Sequence, residues 1–424
     1  MTQTAYLDLF EQIAHDFGTR STTDRRGVSS YGTTPLETLL DASISPDILY
    51  GYGDPGALCV RDAGGGRSYY VAVTSNDAPH AFPILRSRDL RGWEVTGFVF
   101  PDGAQPPWTA PIGQGGEYWA PELHAVDGGF VACFAAREPN GSFSIGLAHA
   151  ATPSGPFVAA AQPLVRGGVI DPNLFVDDDG SAMLCWKRDD NDVWPGLLCD
   201  LLFREPQLIG ELFGNADDAG IAALNAVLSP WTRTLSPMER FFVQQVLIAA
   251  VVANFTAIRA TLEERSRTND ARFVADATAI VTAMRTPVFG QKVDPVRGIL
   301  LGTPSVVLTN DLPWEAHLVE GPWITKQHGT YYLFYSGNDF STADYGVGVA
   351  VAGSPLGPYA KRERPFIRST PAWWGPGHPS VAEGPDGRPW MFLHAYRPER
   401  AGYKQFRALL GVPLTFANGI VGPG

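Results

Sequence analysis

Residues 170–187 read IDPNLFVDDDGSAMLCWK and contain the pattern that decides the fold. An acid beside a proline opens the segment, an apolar strand follows, and the chain turns at Gly180 into a second strand. Four other segments share this layout, with a histidine in place of the acid in the last: GDPGALCVRDAGGGRSYYVAVTS (53–75), APELHAVDGGFVACFAA (120–136), VEGPWITKQHGTYYLFYSG (319–337) and GHPSVAEGPDGRPWMFLHAY (377–396). A unit that recurs along a chain predicts a repeat architecture, here one of small antiparallel sheets.

Five such sheets predict an all-β fold, a five-bladed β-propeller. One small sheet cannot bury both of its faces, so neighbouring sheets stack around an axis. The first strand of each blade lines the central channel, and the residues that open these strands should surround one channel mouth: Asp54, Glu122, Asp171, Glu320 and His378. An open β-sandwich is the alternative, but sandwich strands rarely repeat a polar opening residue.

The sequence between the third and fourth repeats is longer than the other gaps and differs in composition. Residues 211–285 are rich in alanine and contain no tyrosine. Ser236-Pro237-Met238-Glu239 is typical of a helix start with a capping box, so we expect a helix from there to about Arg265. Further helices are expected to begin at Asn215 and at Asn269-Asp270. We predict an inserted α-helical subdomain that acts as a lid, an oligomer interface or a stabilising graft.

These patterns divide the chain into four parts. Residues 1–45 form an N-terminal segment with a short helix, and residues 46–202 form blades one to three. Residues 203–293 form the inserted helical subdomain. Residues 294–424 form the rest of the propeller, including blades four and five.

Composition limits the classes of protein that the chain can belong to. The 46 Gly, 35 Pro and 11 Trp among 424 residues suit short strands and tight turns, and they exclude disorder. The net charge of −12, with no cluster of Lys and Arg, argues against nucleic acid as a partner. No basic region followed by an apolar stretch marks a signal peptide, and the longest apolar run, 246–253, is too short to span a membrane. We expect a soluble, cytoplasmic protein.

Three of the acids suit glycoside hydrolysis. That reaction needs one carboxyl group to protonate the leaving oxygen and another to act on the opposite side of the sugar; in the inverting route the two stand about 6.5–9.5 Å apart. A third carboxylate can raise the pKa of the acid. Asp54 and Asp171, each before a proline, are individually typical of turns. Their matching positions with Glu320 favour catalysis.

The order of short motifs resembles glycoside hydrolase family 43. The matching pieces are Gly53-Asp54-Pro55, ILRSRDLRGWE (84–94), WAPEL (119–123), IDPNLF (170–175), VEGPWI (319–324), YYLFYSGNDF (331–340), SPLGPY (354–359) and GPGHPSV (375–381). The resemblance implies that Asp54 is the general base, that Glu320 is the general acid, and that Asp171 orients the acid and modulates its pKa.

The resemblance also implies the reaction and its substrates. It predicts an inverting, exo-acting α-L-arabinofuranosidase or β-xylosidase that releases L-arabinofuranose or D-xylose from plant hemicellulose or pectin-derived glycans. An arabinan endo-hydrolase of the same fold is one alternative. A non-catalytic glycan-binding propeller is another, and a transferase or phosphorylase is a third, although phosphorolysis needs a basic pocket that the motifs do not contain.

Further residues are candidates for contact with an oligosaccharide or polysaccharide substrate: Trp119, Trp194, Trp374, Glu122 and His378. The tryptophans can equally pack between blades, and Glu122 can be structural. His378 matches a family histidine that lies near a metal or an ordered water, so Ca²⁺ or water is expected beside it. One imidazole without a carboxylate cluster is a poor metal site, and the reaction is expected to require no cofactor. A homo-oligomer through the helical insertion is a further expectation.

Overall fold

The computed structural model describes residues 28, 31–76, 78–111, 116–191, 193–267, 270–402 and 404–424. The predicted short helix near the N-terminus and Asn269 lie outside the described residues. The first described strand is β1 (Glu37–Leu40). It lies within the segment 1–45, where no strand was expected, and it pairs with a strand close to the C-terminus.

Twenty further strands build five antiparallel sheets, in keeping with the all-β class predicted from the repeats. Sheet one contains β2 (Gly56–Arg61), β3 (Arg67–Ala72), β4 (Ala81–Ser87) and β5 (Trp93–Phe100). Sheet two contains β6 (Trp119–Val126), β7 (Gly129–Arg137), β8 (Phe143–Ala150) and β9 (Val158–Ala159). Sheet three contains β10 (Val169–Val176), β11 (Ala182–Arg188), β12 (Pro287–Asp294) and β13 (Ile299–Thr309).

The last two sheets follow the same plan. Sheet four contains β14 (Val319–Gln327), β15 (Thr330–Gly337), β16 (Gly346–Ala352) and β17 (Ala360–Lys361). Sheet five contains β18 (Trp374–Glu383), β19 (Pro389–Tyr396), β20 (Arg407–Ala417) and β21 (Ile420–Pro423), and β1 pairs with β20 in this sheet. A 3₁₀ turn, Pro313–Glu315, precedes sheet four.

The first strands of the sheets lie against one another. β2 contacts β6, β6 contacts β10, β10 contacts β14, β14 contacts β18, and β18 contacts β2. Separate hydrophobic clusters fill the spaces between sheets one and two, two and three, three and four, four and five, and five and one. Apolar side chains on both faces of each sheet are therefore buried, and the openings of the five first strands are brought together.

A helical segment connects β11 to β12. Its helices are α1 (Trp194–Arg204), α2 (Ile209–Leu212), α3 (Ala216–Thr232), α4 (Pro237–Ala253), α5 (Phe255–Arg265) and α6 (Ala271–Ala283), with a 3₁₀ turn at Pro206–Leu208. These helices share their own hydrophobic core. The helices begin before residue 203 because Pro195 favours a helix start, and they end before residue 293 because 287–294 forms a strand.

Helix capping follows the sequence closely. Ser236 forms the predicted capping box with Glu239, and the Asn215 side chain accepts a hydrogen bond from Asp218 N–H. The single helix expected up to Arg265 is wrong, because the chain bends by 84° between α4 and α5. Asn254 lies at the bend and donates its side-chain amide to Ala250 O, a local bond that competes with helix continuation.

No single helix in the described part of the chain is both long and apolar enough to cross a membrane. Only α4 and α5 taken together reach that length and composition, and they are the pair that meets at the bend.

Candidate active site

The chain enters the first strand of each of the five sheets in the same way. In each, a residue with a left-handed backbone precedes a proline: Asp54 (φ 53°), Ala120 (φ 48°), Asp171 (φ 55°), Gly321 (φ 53°) and His378 (φ 52°). Four of these openings also interrupt the strand register, which is the geometry of a bulge. A bulge redirects a side chain away from the ladder, so these positions can direct polar groups towards a common cavity.

This register corrects the predicted equivalence of the five polar residues. Asp54, Asp171 and His378 do occupy equivalent positions. Glu320 stands one residue before the corresponding position, which is Gly321, and Glu122 stands two residues after Ala120. The hairpin of sheet four is shorter by one residue, because Gly321 is eight residues before Gly329, whereas Asp171 is nine residues before Gly180.

Asp54, Asp171 and Glu320 nevertheless line one cavity, together with His378 and Trp119. The cavity contains about 930 Å³ of space, including the part open to solvent. The structure therefore brings together all three predicted carboxylates, although they come from sheets one, three and four.

Asp54 is surrounded by polar and charged side chains. Its carboxylate accepts hydrogen bonds from Arg407 Nη1 at 2.9 Å and from Thr74 Oγ1 at 2.5 Å. The ring nitrogens Nδ1 of His378 and His394 both lie 3.4 Å from Asp54 Oδ1. Burial alone raises the pKa of this carboxyl, but the charge of Arg407, helped by the two histidines and Thr74, outweighs burial and holds the pKa below its ordinary value.

Glu320 is held from two sides and is almost completely buried. Lys187 Nζ lies 3.1 Å from Oε2, and the Tyr345 hydroxyl donates to Oε1 at 2.8 Å. Burial raises the pKa of Glu320, Lys187 opposes that change, and the nearby charge of Asp171 raises the pKa again. The net result is a carboxyl whose pKa is raised, as a proton donor at neutral pH requires.

Asp171 contacts the backbone beside Glu320. Its Oδ2 accepts a hydrogen bond from Gly321 N–H at 2.9 Å. Burial is the main cause that raises the pKa of Asp171, and the charge of Asp54 adds to it, while His378, Lys187 and the Gly321 N–H act in the opposite direction. Asp171 therefore interacts with both other carboxyls. It contacts the backbone next to Glu320 and repels its charge, and it also repels the charge of Asp54.

Two glycines of the opening motifs leave space for supporting side chains. A Cβ on Gly53 would lie 1.9 Å from Cζ of Arg407, and a Cβ on Gly377 would lie 1.9 Å from Cε1 of Tyr345. Only glycine allows the guanidinium to reach Asp54 and the phenol to reach Glu320.

Trp119 is the tryptophan whose predicted place at the substrate surface agrees with the structure. It lines the cavity, its indole N–H donates to Asn76 Oδ1 at 3.0 Å, and its ring packs on Phe143 with 4.3 Å between centroids. Arg137 lies over the ring of Phe143 and also lines the cavity.

Three predicted substrate contacts are wrong because packing places them elsewhere. Trp194 is completely buried in the core of the helical segment. Trp374 packs with Tyr396 and Ala401 behind the cavity wall. Glu122 is buried, and it accepts hydrogen bonds from Asn173 and from Leu174 N–H, so it ties β6 to β10 rather than facing the cavity.

The side chains around His378 do not suit the binding of a metal ion. Among the described ranges, no three His, Cys, Asp or Glu side chains lie together as ligands of one ion. His378 Nδ1 faces Asp54, and its neighbour His394 uses Nδ1 to accept from the Asp54 N–H at 3.1 Å. These residues do not fit a metal centre, and no catalytic step is assigned to one.

Sequence reasoning missed the groups that tune the carboxyls. Lys187 lies on β11 and Arg407 on β20, whereas Thr74 follows β3 and Tyr345 precedes β16; no motif marks these four residues. The one available signal was a charged residue within an apolar strand, since a buried lysine requires a partner.

Comparison with known proteins finds a family model and several relatives that match this chain. The family model described as "Glycosyl hydrolases family 43" matches residues 53–198 and 276–421, leaving most of the helical segment between the two matches. Xylosidase/arabinosidase 43A of Humicola insolens is 26% identical over 288 residues, which cover 68% of this chain and 67% of that protein. A β-xylosidase of Xylanibacter ruminicola is 33% identical over 82 residues, 19% of this chain and 24% of its own length.

Solved structures show the same fold. A thermostable family-43 glycoside hydrolase superposes with a TM-score of 0.59 at 22% identity, covering 88% of this chain and 92% of that one. An endo-1,4-β-xylanase from Bacteroides thetaiotaomicron superposes with a TM-score of 0.57 at 18% identity, covering 92% and 97% of the two chains. The family match extends over both parts of the sheet region and includes all three carboxylates, and the chain therefore belongs to the glycosyl hydrolases of family 43.

Proposed function

We propose that this glycoside hydrolase releases L-arabinofuranose or D-xylose from plant hemicellulose or pectin-derived glycans, with inversion at the anomeric carbon. One observation carries the proposal: Asp54, Asp171 and Glu320 line a single cavity, and their surroundings move the pKa values of Asp54 and Glu320 in opposite directions. The xylosidase/arabinosidase relative supports a pentose as the sugar that is released.

The proposed mechanism assigns one duty to each carboxyl. Asp54, kept ionised by Arg407, takes a proton from a water molecule that attacks the anomeric carbon. Glu320, kept protonated by burial and by the charge of Asp171, donates its proton to the glycosidic oxygen as the bond between that oxygen and the anomeric carbon breaks. The products are a free pentose of inverted configuration and the rest of the glycan with a new hydroxyl group.

Asp171 has a positioning duty in this mechanism. Its hydrogen bond to Gly321 N–H fixes the backbone next to Glu320, and its negative charge favours the protonated form of Glu320. The repulsion between the two carboxylates grows as Glu320 gives up its proton, so Asp171 favours retention of that proton until the glycosidic oxygen accepts it.

Two carboxamide variants test the roles. Glu320→Gln removes the proton donor, and Asp54→Asn removes the base; each should lower kcat on natural pentosides by about 10²–10⁴-fold. An activated aryl glycoside needs less protonation of its leaving group, so Glu320→Gln should retain more activity on it than Asp54→Asn does. Full turnover by Glu320→Gln on natural substrates would contradict the assignment.

Inversion is tested separately by ¹H NMR of the first product. The anomer that appears first should have the configuration opposite to that of the substrate. Net retention would require a covalent intermediate and would reject the proposed use of Asp54 as a base.

We also propose that the five sheets are the blades of a five-bladed propeller. The contacts between successive first strands, including β18 with β2, and the cluster between sheets five and one support a ring. The pairing of β1 with β20 supports closure between the N-terminal and C-terminal strands. A crystal structure in which sheets one and five are separated by solvent would reject this architecture.

Exo action is the mode that we propose. Pro237 and Phe241 of α4 and Lys404 and Gln405 of the loop after β19 line the same cavity as the carboxylates, which favours a pocket over an open groove. Release of single pentose units from linear arabinan or xylan, without early shorter oligosaccharides, is the expected product pattern. Early production of mixed oligosaccharides would indicate endo action.

A further inference from the structure

The start of helix α4 forms part of the active-site cavity. The Ser236 capping box sets the first turn, and Pro237, Phe241 and Gln245 follow at intervals of four residues. Residues four apart lie on one face of a helix, so this face is continuous along two turns. Pro237 and Phe241 line the cavity that contains the three carboxylates.

Contacts with three loops of the sheet region hold this face in place. A Cβ on Gly141, in the turn between β7 and β8, would lie 3.9 Å from Pro237 Cγ. A Cβ on Gly402, in the loop after β19, would lie 3.4 Å from Gln245 Nε2. Phe241 stacks on Phe340, with 5.9 Å between ring centroids and an angle of 13° between planes. The helical segment is therefore packed against the cavity rim at three points.

Phe340 packs against side chains of sheet five. The cluster that it contacts includes Trp374 on β18, Tyr396 on β19 and Ala401 in the loop after β19. Phe241 in turn packs on the core of the helical segment. Both rings are only partly buried, and both line the cavity. The pair is thus an apolar surface with firm backing on each side.

The position of the pair relative to the catalytic groups defines which part of a substrate it meets. Phe340 follows β15 and therefore belongs to sheet four, the sheet that carries Glu320. Asp54 belongs to sheet one. The general acid protonates the leaving oxygen, so the departing part of the substrate lies on the side of Glu320.

Polar groups that line the same cavity as Phe241 and Phe340 complete a site suited to a sugar ring. Asp189 and Asn191, which lie between β11 and α1, line the cavity, as do Lys404 and Gln405. A sugar ring offers apolar C–H faces and polar hydroxyl edges. An aromatic surface with polar neighbours matches both.

We propose that Phe241 and Phe340 form the binding site for the leaving-group side of the substrate, the sugar ring or aryl group that departs when the pentose is released. The inference rests on the proposed function and extends it, because it assigns substrate binding to the helical segment. Because Phe241 belongs to that segment, the inserted helices take part in recognising the leaving group.

The test compares two substrates that share the pentose and differ in the leaving group. One is a methyl pentoside, whose leaving group has no ring, and the other is the matching pentose disaccharide. For Phe241→Ala, the ratio of kcat/KM for the disaccharide to kcat/KM for the methyl pentoside should fall about 10-fold, the usual effect of losing one apolar contact with a substrate. Phe241→Trp, which keeps a flat ring, should retain most of the ratio.

Phe203→Ala is the matched control, because Phe203 lies in the same helical segment on α1 and is 57% exposed. It should leave the ratio unchanged. Equal loss on both substrates by Phe241→Ala, or no change in the ratio for a variant with wild-type thermal unfolding, overturns the inference alone. A wild-type enzyme that hydrolyses neither pentoside overturns the proposed function and the inference with it.

Discussion

Lys187 places its ammonium group 3.1 Å from Oε2 of Glu320, and the lysine side chain is completely buried. Burial lowers the pKa of this lysine, but the charges of Glu320, Asp189 and Asp171 outweigh burial and raise it, so Lys187 stays protonated. A fixed positive charge beside Glu320, the proposed proton donor, favours its ionised form and opposes the effects of burial and of Asp171. Lys187 therefore limits how far the pKa of the acid can rise.

Removing the charge of Lys187 should shift the pH dependence of activity. Glu320 must be protonated to act, so its pKa sets the alkaline limb of the profile of kcat/KM. Lys187→Met removes the group that lowers this pKa, and the alkaline limb should move to higher pH. A pH series on an aryl pentoside measures the shift.

Lys361→Met is the control for that experiment. Lys361 also pairs with a buried carboxylate, Glu315, at 2.7 Å, and neither residue lines the cavity. Lys361→Met should lower the free energy of unfolding without moving the acidic or the alkaline limb of the pH profile of kcat/KM. If Lys187→Met leaves the alkaline limb in place or moves it to lower pH, Lys187 does not tune Glu320.

Asp171→Asn should have the opposite effect on the same limb. The charge of Asp171 raises the pKa of Glu320, so removing it should move the alkaline limb to lower pH. Asp171→Asn should also hold the Gly321 backbone less firmly. The resulting misplacement of Glu320 should lower kcat by about 10²-fold. An upward shift of the alkaline limb would contradict the proposed interaction.

Arg407→Gln should affect the acidic limb instead. Asp54 must be ionised to act as a base, and Arg407 is the strongest of the groups that hold its pKa low. Loss of the guanidinium raises this pKa, so activity should be lost at a higher pH on the acidic side. Arg397→Gln serves as the comparison, since Arg397 pairs with the exposed Asp41 away from the cavity. An unchanged acidic limb in Arg407→Gln would reject the role of Arg407.

Gly377→Ala should displace Tyr345. The new methyl group would lie 1.9 Å from the ring, so either the phenol or the backbone has to move. Overpacking of this kind costs about 1–3 kcal/mol in the free energy of unfolding, and loss of the hydrogen bond to Glu320 should also lower kcat. Gly353→Ala is a suitable control, because nothing lies within 4 Å of its Cβ position. Denaturant unfolding and kcat are the two measurements, and wild-type values for both would refute the close packing.

The sequence by itself determined the repeated unit and most of the positions that we propose to be catalytic. The layout of a strand, a turn glycine and a second strand is local, and it correctly predicted the antiparallel pairs of all five sheets. The X-Pro openings are local as well, because each consists of neighbouring residues that the sequence shows directly. For this reason Asp54, Asp171 and His378 could be identified from short motifs, and the Ser236 capping box could be recognised in the same way.

Tertiary structure decided which residues act on those positions. Lys187 and Arg407 reach the carboxyls from other strands and Tyr345 from the loop before β16, and the distance along the chain from Asp54 to Arg407 leaves no periodic signal. Burial of Trp194, Trp374 and Glu122 likewise depends on which surfaces meet. A charge or an indole has no fixed role until packing sets its dielectric surroundings and its partners. The sequence could therefore indicate three acids, whereas only the assembled sheets decided in which direction the pKa of each is shifted.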